Sequence, residues 1–491
     1  MVTSNPHHRK PMHGTAKAKG CAHAKLGNFC KMFPDLPSWA EDCGITDQCE
    51  AEAVARAIGG VGGLMHDAAG SSPDSGIPAG YTFFAQFVDH DITLDTTSPL
   101  HGLVPEDEIP KLPNLRSASL DLDCVYGLGP EAMPFMFDPS QPGRMLVGSE
   151  IDGVENPVDV PRNSVGRALI GDPRNDENLF VSQMQAMWIR FHNRRLVTHD
   201  FEKAQEDARY HYQHIVLYDF LKRVCHPDIY DVAVTRIEQN ADNKHVSYPY
   251  CYDALVEKHC HRICMPVEFS VAAYRFGHSL VRSAYPANGA YPLIELFDER
   301  FGTLGFGQVP PKLNVDWRFL LDYDECHPYA KSKAIDGLLA DELVRLPDPV
   351  VGRNTTSDDR SLAFRNILRG HSLGLASGQA VAQALHDKGY ADIDPGADLK
   401  FDEMANWKCL TAGLPCDIAE HTPLFFYLMR EAAVLGAGET LGPVGSAILL
   451  EVFGTMLVFC KTFLDSDWEP DPCVTGGEDL KLAHIAAYAA G

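Results

Sequence analysis

Residues 83–93, Phe-Phe-Ala-Gln-Phe-Val-Asp-His-Asp-Ile-Thr, constrain this chain more than any other stretch. The outer residues are apolar and read as helix, yet the centre holds Gln86, Asp89, His90 and Asp91. On a helix, Gln86, Asp89 and His90 stand at i, i+3 and i+4 and share one face, while Asp91 lies about 100° further round. Burying an amide, a carboxylate and an imidazole is costly unless polar groups lie opposite. A local pattern that conflicts with burial in this way marks a functional stretch.

The chain has 491 residues. Length alone suggests about three domains, but no clear linker divides it. The expected organisation is an extended N-terminal arm, residues 1–55, and one large helical domain, residues 56–491. The formal charge of −25 argues against nucleic acid and anionic membranes as partners and slightly favours neutral or cationic small molecules. Met1–Lys19 is basic and His-rich with no apolar run, unlike a usual secretory signal. No stretch reaches the roughly 18 uninterrupted apolar residues of a membrane span; Gly445–Cys460 comes nearest and is interrupted by Glu451. The sequence leaves the location open between the cytoplasm and export by a signal-less route. The 14 cysteines are scattered, so free thiols in a reducing compartment are the default. The run Cys260-His261-Arg262-Ile263-Cys264 lacks the matching second pair of a zinc site, and Cys43 with Cys49 is no stronger. His7, His8, His13, Cys21 and His23 read as part of a solvated tail rather than a metal site.

Along the chain, residues 59–80 form a Gly/Ser/Pro loop that leads into a helix over 81–93. In the loop 114–127, Ser117, Ser119, Asp121 and Asp123 alternate, which in extended backbone points them one way. With Asp91 they offer oxygen ligands to a hard cation; a solvated acidic turn is the competing reading, since the spacing is not that of an EF-hand. Residues 134–162 read as irregular with a hairpin. Pro173 and the acidic residues after it open a long helix that runs to about Glu206. Further helices are expected over 207–264, 267–283, 361–374, 374–386 and 421–465. Arg174 and Glu177 stand at i, i+3, as do Arg275 and His278, and Asn366 and Arg369. Each pair has a bland reading as an ion pair or a satisfied core residue. Strand-like alternation is nearly absent, so the expected class is all-α with few or no strands.

Taken in order, Gln86-x-x-Asp89-His90-Asp91, the loop Ser117–Tyr126, Arg174-x-x-Glu177, Arg275-x-x-His278 and Asn366-x-x-Arg369 resemble the peroxidase–cyclooxygenase superfamily, the animal-type haem peroxidases, in a form similar to bacterial members. The resemblance runs from about residue 60 to 470. It implies haem b and calcium as cofactors. His90 then resembles the distal histidine, Arg174 the distal arginine and Gln86 the distal glutamine. His278 resembles the iron ligand and Asn366 the amide beside it, with Arg275 and Arg369 near the haem propionates. Asp91, Ser117, Ser119 (by its carbonyl), Asp121 and Asp123 resemble the calcium ligands. Asp89 and Glu177 match the carboxylates that in animal members form ester bonds to the haem. Asn178 follows Glu177 where one animal member has a methionine in sulfonium linkage, which argues against strong chloride oxidation.

The implied activity is peroxidase, with hydrogen peroxide and a small donor (halide, thiocyanate or a phenol) as partners. An imidazole of ordinary pKa about 6.5 can take and return a proton, and a guanidinium stabilises the departing oxygen. Two rivals stand beside this. Fatty-acid dioxygenases of the same superfamily need a tyrosine three residues before the iron ligand. Here that position is Arg275, and Tyr274 is one residue off. A non-catalytic haem-binding or adhesion-like protein is the other rival.

Overall fold

The computed structural model describes residues 27–243, 250–257, 262–298, 303–324, 326–353 and 355–491. The histidines and cysteine of the tail, together with Cys260 and His261, lie outside them. Helices take 47% of the residues and strands 9%, so the molecule is mainly helical, as expected. The strands are short and pair in small sheets of two or three. One is the hairpin expected within 134–162, Ser149–Ile151 against Val154–Asn156.

Residues 27–55 are not an extended arm. Strand β1 (Gly27–Cys30) lies between β2 (Pro113–Asn114) and β3 (Met265–Pro266). Phe29, Trp39 and Val54 are buried in the common core. Helix α1 (Gln48–Gly59), capped by Asp47, follows. The buried Glu268 carboxylate accepts the backbone N–H groups of Met32 and Phe33 at 2.8 and 3.1 Å. The cysteines also depart from expectation. Cys30 pairs with Cys264 and Cys43 with Cys416, since β1 runs parallel to β3 and sets Cys30 beside the residue preceding it. Cys264 is thus unavailable to zinc. Both bridges staple the segment 27–45 to the body, a pairing that oxidising compartments preserve.

Helix α2 (Gly80–Ile92) runs through the core, with every residue except Gln86 buried. Its start needs Gly80, because a Cβ there would collide with the Leu321 side chain. Phe83 stacks on Phe180, and Phe87 on Trp188; both partners lie on α3 (Leu179–Arg195). The helix expected to run on to Glu206 stops at Arg195, and α4 (Phe201–Ile215) restarts with Asp200 as its N-cap, a stronger start signal than the apolar periodicity across it. The helix expected over 267–283 is α5 (Val267–Val271) followed by a 3-10 turn, Ala273–His278. Arg275 Nε takes the Ser270 carbonyl at 2.7 Å, supporting the break. The remaining frame is α6 (Leu362–Ser372), α7 (Leu424–Val434), α8 (Pro443–Phe459) and α9 (Leu482–Ala490). Helix α6 packs on α1, α7 on α6 and α8, and α9 on α3. The 421–465 stretch breaks where Pro443 opens α8, whose first N–H groups are taken by buried Glu431. Among the described residues no helix is long and apolar enough to cross a membrane.

Candidate active site

A cavity of about 380 Å³ lies between α2 and the 3-10 turn Ala273–His278. Gln86, Asp89 and His90 line it from α2, Arg174, Glu177 and Asn178 from the segment before α3, Arg275 and His278 from the turn, and Asn366 and Arg369 from α6. All nine residues of the expected haem site, Arg369 among them, therefore reach one space. Because i and i+3 eclipse in a 3-10 turn, Arg275 and His278 are presented in one line.

The polar face of α2 is met group by group. Gln86 Nε2 donates to the Glu177 carboxylate, and Asn178 Nδ2 donates to Gln86 Oε1 at 3.2 Å. Asn178 is also the N-cap of α3, a role that a methionine here could not fill. Asp89 accepts from Thr93 Oγ1 at 3.0 Å and pairs with Arg275 at 3.4 Å. Burial pushes the Asp89 carboxyl up, but Arg275, Arg174 and His90 outweigh it and hold it below the usual range. Glu177 lies 3.8 Å from His90 Nε2. Burial raises its carboxyl to about 7, against the pull of Arg174 and Gln86.

His90 is brought down to about 4 by burial and the Arg174 charge, and His278 to about 3 by burial and Arg275. Both rings are therefore neutral near pH 7. The Asn366 amide nitrogen lies 3.1 Å from His278 Nδ1. Turned by half a rotation, that amide would present its oxygen, hold the ring proton on Nδ1 and leave Nε2 a lone pair for a metal. The Arg174 guanidinium is clamped by Asp172 (2.8 and 3.1 Å) and by the carbonyls of His90 (3.1 Å) and Thr93 (2.6 Å). Gly305, at φ +73°, packs so tightly on the Asp176 carbonyl that no side chain would fit, and Phe306 N–H bonds that carbonyl at 2.6 Å.

The set fits a flat macrocycle that carries two carboxylates. Val271, Leu343, Leu346 and Leu362 give apolar walls. Gly277, without a side chain, leaves room beside Ala85. Besides Arg174, three guanidinium groups, Arg275, Arg365 and Arg369, line the cavity, two of them tied to Asp89 and Asp95. Two neutral imidazoles line the same space.

Asp91 faces away from the cavity. One carboxylate oxygen each of Asp91, Asp121 and Asp123 lie within 4.8 Å of one another. Ser117 Oγ donates to Asp121 at 3.0 Å. The Ser119 hydroxyl lies by the Cys460 thiol and draws it down against burial. Burial and Asp121 raise Asp91 to about 7. Burial, Asp91 and Asp121 push Asp123 well above the usual range, against Arg116. An all-oxygen, net-negative group of this kind suits calcium by its chemistry.

Four residues escaped the sequence reading. Asn175 holds His90 Nδ1 at 2.7 Å, Gln185 holds Asn175, Asp172 clamps Arg174 and Arg365 joins the arginine group. Only Asp172 carried a signal, as an N-cap before Pro173. The others act through partners far along the chain.

A family model described as animal haem peroxidase matches residues 105–292. A "Peroxidase-like protein" of Margaritifera margaritifera is 28% identical over 195 residues, 36% of this chain and 23% of that protein. The match thus spans about a quarter of that relative's length. Among solved structures, Peroxidase A from Dictyostelium discoideum superposes with a TM-score of 0.62 at 14% identity, over 96% of this chain and 94% of that one. The fatty acid alpha-dioxygenase of Oryza sativa gives 0.60 at 15%, over 95% and 80%, and that of Arabidopsis thaliana 0.56 at 14%, over 95% and 76%. At these identities the likeness to the solved structures is one of fold.

Proposed function

We propose that this chain, which matches an animal haem peroxidase family model over residues 105–292, is a haem peroxidase, using hydrogen peroxide to oxidise a halide, thiocyanate or a small phenol. The observation that carries this reading is that two neutral imidazoles, His90 and His278, line one cavity together with the Arg174 guanidinium. Bound haem b would supply the redox chemistry that none of these side chains can.

In this reading His278 would hold the haem iron, with Asn366 steadying the ring. With haem bound, His90 Nε2 would accept a proton from peroxide and could return it to the leaving oxygen. Arg174, which never loses its charge, stabilises the departing oxygen. Asp172 keeps that guanidinium in place, and Gln86 orders water or halide beside His90. Arg275, Arg365 and Arg369 take the propionates. Asp89 and Glu177 are the candidates for ester bonds to the haem, and Asp89 would first have to give up Arg275. Asp91, Asp121 and Asp123, with Ser117 and the Ser119 carbonyl, would hold calcium near the end of α2.

The test is haem titration followed by peroxide and a donor screen. One haem per chain, a peroxide-dependent spectral change and donor oxidation are expected. Bound haem without peroxide consumption would leave a non-catalytic haem protein and end this reading.

One observation favours the dioxygenase alternative. Tyr274 lines the cavity, and its buried hydroxyl has no hydrogen-bond partner among the described residues. Against it, Arg275 stands three residues before His278 and is engaged with Asp89. Oxygen uptake with a long-chain fatty acid and no peroxide consumption would select the alternative.

A further inference from the structure

Behind His90 runs a chain of hydrogen bonds whose direction is fixed at its far end. The carbonyl of Cys124 can only accept. Gln185, fully buried on α3, donates to it from Nε2 at 3.3 Å, which leaves Oε1 as its acceptor. Asn175, also fully buried, donates to that oxygen from Nδ2 at 2.7 Å. This turns Asn175 Oδ1 toward His90 Nδ1, 2.7 Å away. An amide oxygen cannot donate, so the bond forms only if the imidazole carries its proton on Nδ1. Reversing Gln185 would set its oxygen against the Cys124 carbonyl and its nitrogen against Asn175 Nδ2, and neither contact bonds. On the other side of the ring, Glu177 is 3.8 Å from Nε2, beyond hydrogen-bond reach, so nothing there of equal strength opposes the assignment.

We propose that Asn175 and Gln185 are positioning residues that hold His90 in its Nδ1–H form, so that Nε2 faces the cavity as a base before any ligand binds. The same Cys124 carbonyl accepts the N–H of Asp172 at 3.2 Å, and Asp172 clamps Arg174. The N–H of Cys124 donates to Asp91 at 3.2 Å. One backbone residue therefore sets the proton acceptor, the guanidinium and the acidic cluster in register. That the base serves peroxide cleavage rests on the peroxidase reading; the tautomer does not.

The experiment is nitrogen-15 NMR of histidine-labelled, haem-free protein at pH 7, with the His90 signals assigned by their loss in His90→Gln. The wild type should show the proton on Nδ1. Asn175→Asp, which also accepts, should keep it there. Asn175→Leu and Gln185→Leu should lose the preference and, once haem-loaded, react with peroxide about 10²-fold more slowly, the lower end of what general acid–base catalysis supplies. A wild-type ring protonated on Nε2, or an Asn175→Leu ring still protonated on Nδ1, overturns the proposal. An unchanged tautomer in Gln185→Leu removes Gln185 from it. Should the leucine variants fail to fold by near-ultraviolet circular dichroism, the wild-type and Asn175→Asp spectra still decide. If the tautomers behave as stated but haem-loaded protein consumes no peroxide, the peroxidase reading fails and the relay stands.

Discussion

On the calcium reading proposed above, adding calcium should stabilise the protein, and neutralising one carboxylate of the acidic cluster should abolish that effect while stabilising the calcium-free protein. Asp91, Asp121 and Asp123 bring oxygens within 4.8 Å of one another. At an effective dielectric constant of about 20, each charged pair at that distance repels by about 3.5 kcal/mol. Asp121→Asn removes two of the three pairs, about 7 kcal/mol in all, which proton uptake, Arg209 at Asp121 and Arg116 at Asp123 reduce to a few. Without calcium, the variant should therefore melt above the wild type. Calcium at about a thousand times its Kd stabilises the wild type by about 4 kcal/mol. At about 2.1 cal/mol/K per residue, the unfolding entropy of a chain this long is about 1 kcal/mol/K, so the expected rise in Tm is about 4 °C. Asp121→Asn should show almost none of that rise. Calorimetry of both proteins in chelator and in calcium reads all four values. A wild-type Tm indifferent to chelator, or a variant less stable than the wild type in chelator, would refute the reasoning.

Other expectations follow from the same structure. Burial raises the Glu431 carboxyl to about 7, against the N–H groups of Val444 and Gly445. The folded state therefore holds a proton that the unfolded state releases near 4.5, and the stability this contributes is lost as pH rises through about 7. Glu431→Gln should remove a share on the order of 3 kcal/mol of the decline between those values, measured as Tm against pH. Reduction of Cys30–Cys264 and Cys43–Cys416 should cost about 2–4 kcal/mol for each bridge and open residues 27–45 to protease; non-reducing peptide maps that lack both pairs would contradict this. Tyr274→Phe should leave peroxide-dependent donor oxidation within about threefold of wild type, since a lone buried hydroxyl makes no contact to lose; loss of all turnover would favour the dioxygenase alternative.

The sequence was most legible where local pattern and burial conflict. Gln86, Asp89 and His90 could be placed on one face of a buried helix because no apolar environment tolerates them unpaired, and each has a partner across the cavity or behind it. The class was legible for similar local reasons, but the long helix does not open at Pro173: that proline starts only a 3-10 turn, Pro173–Asp176, and α3 begins at Leu179 behind its N-cap Asn178. Helix ends were not legible either. Asp200 and Pro443 interrupt stretches whose apolar residues continue the 3.6-residue period, and the break before His278 is supported by a side chain, Arg275, reaching back to the Ser270 carbonyl. Residues 27–55 were misread because their order comes from distant partners: β3, Glu268 and two cysteines more than 200 positions away. The same holds for Asn175, Gln185 and Arg365. A single glutamine on a long helix carries no mark of the asparagine it orients.

The decisive question is whether His278 holds the iron of a haem that His90 overlooks. The most direct measurement is the absorption spectrum of haem-loaded His278→Gly with and without added imidazole, beside the wild type. The expected result is a changed spectrum in the variant that free imidazole restores, with His90→Gly binding haem as the wild type does. A His278→Gly protein that binds haem with the wild-type spectrum and ignores imidazole would contradict it.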